Sequence, residues 1–391
     1  MDSVPIQRQT YIQSLFRASQ TAIDFGVVAS TLRERERFWS AWGRFLSFNF
    51  PTYDTKLSTL SQPERIDVLV LFAQHVRSGS VSTSQRKVRA QTVQVSLRAV
   101  ASKFEMDGEP SPVATSQGKY HKKIGQLIEG YRRNDPAPQY KLAVPLTVPA
   151  YMYSYGRHGT TKHKAIGDMA IIAFFYLLRV GEYTKEGNKR TRTQQFRIND
   201  ITLWNNKSIM DKNLPISTLL EKCTAATLNI DNQKNGRRNQ SVHHEAQTSD
   251  ICPVKALIRR IKHILFHTSN VNTIISTHFS RPKGQVLRGT DINAAIKAAV
   301  IQLGLPKYGF NPDQISSHSL RAGGAMALHL NHQSSATIRK MGRWSSDTFL
   351  DYIHNQIAAF SSGLSTAMSK DIFFQNIGFQ KIETPIVTNA D

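Results

Sequence analysis

Apolar residues recur every three or four positions through most of the first third of the chain. In "RERERFWSAWGRFLSF", Phe38, Trp42 and Phe45 fall on one side of a helix and charge falls on the other. In "SQPERIDVLVLFAQHV" the apolar face is Ile66, Leu69, Val70, Phe72, Ala73 and Val76. Ser61, Pro63 and Glu64 form a helix-start signature there. "QTVQVSLRAVASKF" sets Val93, Leu97, Val100 and Phe104 on one stripe, and "GKYHKKIGQLIEGYRR" predicts a further helix. No stretch before about residue 135 alternates as a strand does. The pattern predicts a helical unit over 31–135. The first thirty or so residues carry no strong periodicity and are expected to be loosely ordered.

The pattern breaks at "NDPAPQYKLAVPLTVP". Four prolines in sixteen residues exclude a helix interior, so an extended linker is predicted at 136–150 and a second unit over 151–370, with a tail at 371–391. This unit opens with a helix at about His163 to Leu178, expected to be capped by Gly181. "FRINDITLW" and "ATLNIDNQ" alternate and are rich in β-branched residues. Asn235-Gly236 between strand-like runs predicts a hairpin. Helices follow over "CPVKALIRRIKHILFH", over "TDINAAIKAAVIQLGL", near 319–331 and 334–341, and from about Asp347. The fold class is therefore mostly α with a small antiparallel β-sheet.

Charge changes the picture. The chain of 391 residues carries a formal net charge of +22 and a pI near 10.1. Such a field predicts a polyanionic partner, most simply double-stranded DNA. Basic residues on the first unit, among them Arg86, Lys87, Lys122, Lys123, Arg132 and Arg133, fit that partner, although each taken singly is ordinary helix surface. No basic amphipathic helix or lipidation signal points to a membrane. The run "MAIIAFFYLL" is half a membrane span and reads as a buried helix. The N-terminal segment lacks the pattern of a secretory signal, and two cysteines, Cys223 and Cys252, do not make a disulfide framework. An intracellular protein is expected, nuclear if eukaryotic, and "KRTR" at 189–192 would serve either import or DNA contact.

The candidate chemistry lies in the second unit. In chain order come Arg179, Glu182, Lys234, His318, Arg321, Trp344 and Tyr352. Each has a plain structural explanation. Arg179 could be a helix C-terminal charge and Glu182 its surface partner. Lys234 could be solvated hairpin charge beside Arg237 and Arg238, and Trp344 and Tyr352 could be packing. Together they offer what phosphoryl chemistry on DNA requires: a hydroxyl nucleophile, fixed cations for the phosphate oxygens and a proton donor for the leaving oxygen. His243, His244, Cys223 and Cys252 lack zinc-site spacing, and no glycine-rich phosphate loop with a lysine appears. No metal or other cofactor is expected.

In this order the residues resemble the tyrosine recombinase, or phage integrase, family, over roughly 160–370. "LLRVGE" is similar to the family's first arginine motif, "HSLRAGGA" to its His-x-x-Arg motif and "MGRWSSDTFLDYI" to its closing segment. "LLRVGEYT" and "GRWSSDTFLDYI" look most like eukaryotic mobile-element recombinases of the Crypton or DIRS kind. Trp344 and Tyr352 are eight residues apart, where several members use nine. The resemblance implies a helical core-binding domain followed by a catalytic domain. It implies Tyr352 as nucleophile, Arg179, His318 and Arg321 at the phosphate, and Lys234 as proton donor to the leaving oxygen. Trp344 would buttress the site and Glu182 would orient the first arginine. It also implies a homotetramer on two paired DNA sites, with 355–391 as a segment exchanged between neighbours. A type IB topoisomerase and a non-enzymatic DNA-binding descendant are the rival readings.

Overall fold

The structure is a computed structural model and describes residues 6–27, 29–137, 141–185, 195–230, 240–280, 282–347 and 349–350. It is mostly helical with a small antiparallel sheet.

The first unit contains α2 (Ala29–Asn49), α3 (Gln62–Arg77), α4 (Ala90–Met106) and α5 (Lys122–Arg133). Their stripes meet as the periodicity predicts: Trp42, Phe72, Val93, Leu97 and Phe104 are fully buried in one cluster. Trp42 packs edge-on against Phe72 at 5.1 Å and donates its indole N–H to the Thr55 carbonyl at 2.9 Å, so the ring is buried without an orphaned donor. At the start of α3 the Ser61 amide donates to the Glu64 carboxylate at 2.8 Å. Preceding this unit, α1 (Ile6–Gly26) is helical where no element was expected. Its Tyr11, Phe16, Ile23 and Phe25 are exposed, so local chain preference rather than a covered face makes this helix.

The proline-rich segment ahead of the next helix is docked through its backbone. Leu142 and Val144 donate their amides to the Gln314 and Ser319 carbonyls at 3.0 and 3.2 Å, and Ala143 and Val144 are buried. Proline forbids a helix there but not an extended segment that docks through its other amides. Helix α6 (Thr147–Arg157) follows, then α7 (Thr161–Phe175), whose residues from Ala165 to Phe174 are all buried. Four antiparallel strands come next in the spatial order β2-β1-β3-β4: β1 (Ile201–Asn205), β2 (Ser208–Ile209), β3 (Ala225–Ile230) and β4 (Gln240–Glu245). Between β2 and β3 lies α8 (Ile216–Lys222). Ile230 pairs with Gln240, which leaves Asn235-Gly236 and Lys234 between the paired strands but outside the described residues. Then come α9 (Pro253–His267), a two-strand ribbon of β5 (Thr277–His278) and β6 (Gln285–Val286), α10 (Gly289–Gln302), α11 (His318–Leu330) and α12 (Ser335–Gly342). The helix predicted from Asp347 lies almost wholly outside the described residues.

Candidate active site

The site grows from the way α7 ends. The sequence pattern ran this helix to Leu178 with Gly181 as its cap. Instead α7 stops at Phe175, the chain turns through Leu177 with φ of 49°, and Gly181 sits inside a short 3-10 turn, Val180–Glu182. A helix end leaves carbonyls without intrahelical partners. Here side chains take them in succession. His244 bonds the Phe175 carbonyl at 2.8 Å, Arg343 donates to the Tyr176 carbonyl at 3.2 Å, and Arg343 and Arg321 both donate to the Leu177 carbonyl. Cations at a helix C-terminus also oppose its dipole favourably. With the carbonyls satisfied in this way, no glycine cap is needed.

Glu182 links this cap to the first arginine. It is 1% exposed and accepts three bonds: from the Arg179 amide at 2.8 Å, from Arg179 Nη1 at 3.1 Å and from Arg343 Nη2 at 2.7 Å. Arg343 is likewise 1% exposed, whereas Arg179 retains 26% exposure. One carboxylate thus fixes two guanidinium groups, one buried and one reaching toward solvent. Burial pulls the Arg343 pKa down and Glu182 pushes it back up. The buried Tyr183 phenol beside them is pushed far above its ordinary range by burial and by the Glu182 charge.

Arg321 arrives from α11. It is buried, donates to the Leu177 and Gly342 carbonyls, and lies 4.3 Å from the Trp344 ring centroid. His318 stands one helical turn before it with an exposed side chain. The glycines of "RAGGA" explain how α11 comes so close: a Cβ on Gly323 would overlap the Val144 carbonyl oxygen, and one on Gly324 would overlap that of Phe174. A Cβ on Gly342 would likewise overlap the Trp344 ring. Trp344 is half-buried and packs on Phe349 at 5.7 Å.

Of the seven candidate residues, Arg179, Glu182, Arg321 and Trp344 are joined by one chain of contacts through Arg343 and the Leu177 carbonyl. His318 adjoins them on α11. Lys234 and Tyr352 lie outside the described residues, as do 189–192 and 355–391. Sequence reasoning passed over Arg343 and weighed His244 only as a zinc ligand. Arg343 stands directly before Trp344 in "MGRW" and adopts a left-handed φ of 56°, but nothing in a one-residue context announces a partner 161 positions away. Among the described residues no group of three or more His, Cys, Asp or Glu side chains could hold a metal ion. Cys223 and Cys252 are buried free thiols.

No family model matches this chain, and no curated protein does. Solved structures do resemble it. The XerH site-specific recombinase bound to palindromic difH substrate, in a post-cleavage complex, aligns with a TM-score of 0.48 at 14% identity, covering 83% of this chain and 77% of that one. The Tn1549 transposon integrase in complex with transposon right end DNA gives 0.41 at 11% identity, covering 84% and 99%. XerA recombinase gives 0.36 at 12% identity, covering 87% and 100%. At these identities the likeness concerns the course of the backbone.

Proposed function

We propose that this chain cuts and rejoins duplex DNA through a 3′-phosphotyrosine on Tyr352, as a site-specific recombinase or integrase. What supports the reading is the gathering of guanidinium groups at the site. Glu182 holds both Arg179 and Arg343, and Arg321 donates to the Leu177 and Gly342 carbonyls and lies against the Trp344 ring. Three arginines are thus fixed on one largely buried scaffold. Fixed cations of this kind suit the charge that develops on a phosphodiester passing through a pentavalent transition state.

In this mechanism the Tyr352 hydroxyl passes its proton to His318 and its oxygen attacks phosphorus. The bond from phosphorus to tyrosine oxygen forms, and the bond from phosphorus to the 5′ oxygen breaks. The 5′ oxygen leaves with a proton from Lys234. Arg179 and Arg321 supply fixed positive charge to the non-bridging oxygens. His318 adds a hydrogen bond, and Trp344 packs against Arg321. Because the phosphate ester energy is retained in the covalent link, attack by another 5′ hydroxyl reseals the strand. Assembly as a homotetramer on two paired sites would turn cutting and resealing into recombination, serving integration or excision of a mobile element. A nicked suicide duplex, which loses its 5′ fragment after cleavage, tests the core of this reading. Wild-type protein should become covalently attached and Tyr352→Phe should not, while both bind the duplex with similar affinity. Attachment that persists in Tyr352→Phe would remove Tyr352 from its role.

A further inference from the structure

A second cationic feature lies beside the turn that carries Arg179. The amide of Lys185 donates to the Leu287 carbonyl at 2.8 Å, and Lys185 bridges to Arg288. Gly289 sits so close to this turn that an added Cβ would lie 3.3 Å from Val180. Between the β5–β6 ribbon, the start of α10 and the start of α7 is a cleft of about 570 Å³, lined by Lys162, Lys185, His278, Lys283, Arg288 and Asp291 among others. Its one carboxylate is already committed: Asp291 accepts from Lys162 Nζ at 2.8 Å and from the Arg288 amide at 2.9 Å. Among the described residues, Lys185, Lys283 and the Arg288 guanidinium form no ion pair. Below the cleft, buried Arg260 bonds the Ile275 and Thr277 carbonyls, and burial lowers the His278 pKa, with the Arg260 charge lowering it further. Three cations without an ion pair among the described residues surround a concave opening, with a fourth in the interior, and together they form an anion site rather than a scatter of surface charge.

We infer that this cleft grips a backbone phosphate of the duplex away from the phosphate that reacts, through Lys283, Arg288 and Lys185. The inference rests on the DNA reading above and adds to it a contact that anchors the duplex without touching the reacting atoms. Lysines and an arginine on a ribbon edge read no base, so the contact is blind to sequence.

The test uses the full chain with Lys283→Gln and Arg288→Gln together, and with both changed to Glu as a stronger second variant. Duplex affinity is measured between 50 and 200 mM salt by fluorescence anisotropy. Loss of this phosphate contact should flatten the slope of log affinity against log salt by about 0.9. It should weaken cognate and scrambled duplexes equally. At saturating protein, the rate of covalent attachment to the suicide duplex should stay at the wild-type value. Neutral methylphosphonates placed one at a time should weaken wild-type binding at a non-scissile position where the Gln variant is insensitive. A folded Glu variant with unchanged affinity and slope overturns the inference, and so does methylphosphonate sensitivity identical in wild type and variant. If wild-type protein binds duplex but never becomes attached, the strand-cleavage reading falls, and the cleft is still judged by the slope. If wild-type protein binds no DNA, both fall.

Discussion

The two units differ in what they bury. The helical unit closes over aromatic rings, and its one buried charged residue, Arg77, is answered by Asp135 and by the Val88 and Tyr131 carbonyls at its end. The second unit buries Asp168, Glu182, Arg260, Arg321 and Arg343 within an aliphatic core. Taking ions out of water costs several kcal/mol each, and well-packed apolar residues often serve stability as well or better. Interior charge is thus a poor choice for folding alone. Glu182, Arg321 and Arg343 gather around the end of α7, which under the proposed function makes that unit the one to carry chemistry. The helical unit keeps its charge outside, where it would attract a polyanion if the proposed function holds.

The sharpest way to break this contrast is Glu182→Leu. It would leave Arg343 charged, 1% exposed and without the Glu182 carboxylate, and would remove the Glu182 bonds to Arg179. Breaking one side of a buried pair costs about 3–5 kcal/mol. Urea unfolding should show that loss, and Glu182→Leu with Arg343→Met should recover much of it. A single variant as stable as wild type would mean that the pair is not the keystone of the turn. In the helical unit the comparable change is Trp42→Ala, with a cost of about 3–5 kcal/mol from lost burial and the cavity left behind. Near-ultraviolet circular dichroism during the melt should then show that unit lost first, with the second unit melting as before. Simultaneous loss of both would show that their stabilities are coupled.

How much of this was legible in the sequence follows from the range of each interaction. Stripes such as Val93, Leu97, Val100 and Phe104 are local, so periodicity finds them and all four are fully buried. The hairpin strands and the capping box are local for the same reason. The end of α7 was misread because its cap comes from His244 and Arg343, which are remote in sequence. The docked segment Leu142–Val144 was hidden because prolines announce only what the backbone cannot do. The spacing of His318 and Arg321 is visible in the chain, but that Glu182 joins Arg179 to Arg343 is a tertiary fact with no trace in either local context.

A milder probe concerns the close approach of α11 to α7. Gly324→Ala would push a methyl group into the Phe174 carbonyl and Leu177, and both belong to backbone or core that cannot retreat freely. Overpacking of this kind costs about 1–3 kcal/mol. The thermal midpoint should fall while the helical unit's own transition is unmoved. A neutral result would show that α11 can slide without loss, and the placement of Arg321 would then be less rigid than its hydrogen bonds imply.

The smallest expected effect separates the units by pH. In the second unit His263 is held down at about 4, first by burial and then by Arg260, His267 and His278. Its Nε2 accepts the Phe279 amide at 3.3 Å, which requires the neutral ring. His244 is also lowered, mainly by burial. In the helical unit only His75 among the described histidines is lowered, again by burial. For a group whose folded pKa lies below its unfolded value near 6.5, the unfolded chain binds more protons between the two values. Stability therefore falls as pH drops from about 6.5 toward 4. Asp168, whose pKa is raised by burial, acts in the opposite sense from its unfolded value upward, so the comparison is made over the upper part of the window, pH 5 to 6.5, and against a variant that leaves Asp168 in place. Across it the second unit should lose more stability than the helical one, and His263→Gln should flatten its slope while keeping an acceptor for the Phe279 amide. Equal slopes in wild type and variant would show that His263 is protonated alike in the folded and unfolded chains.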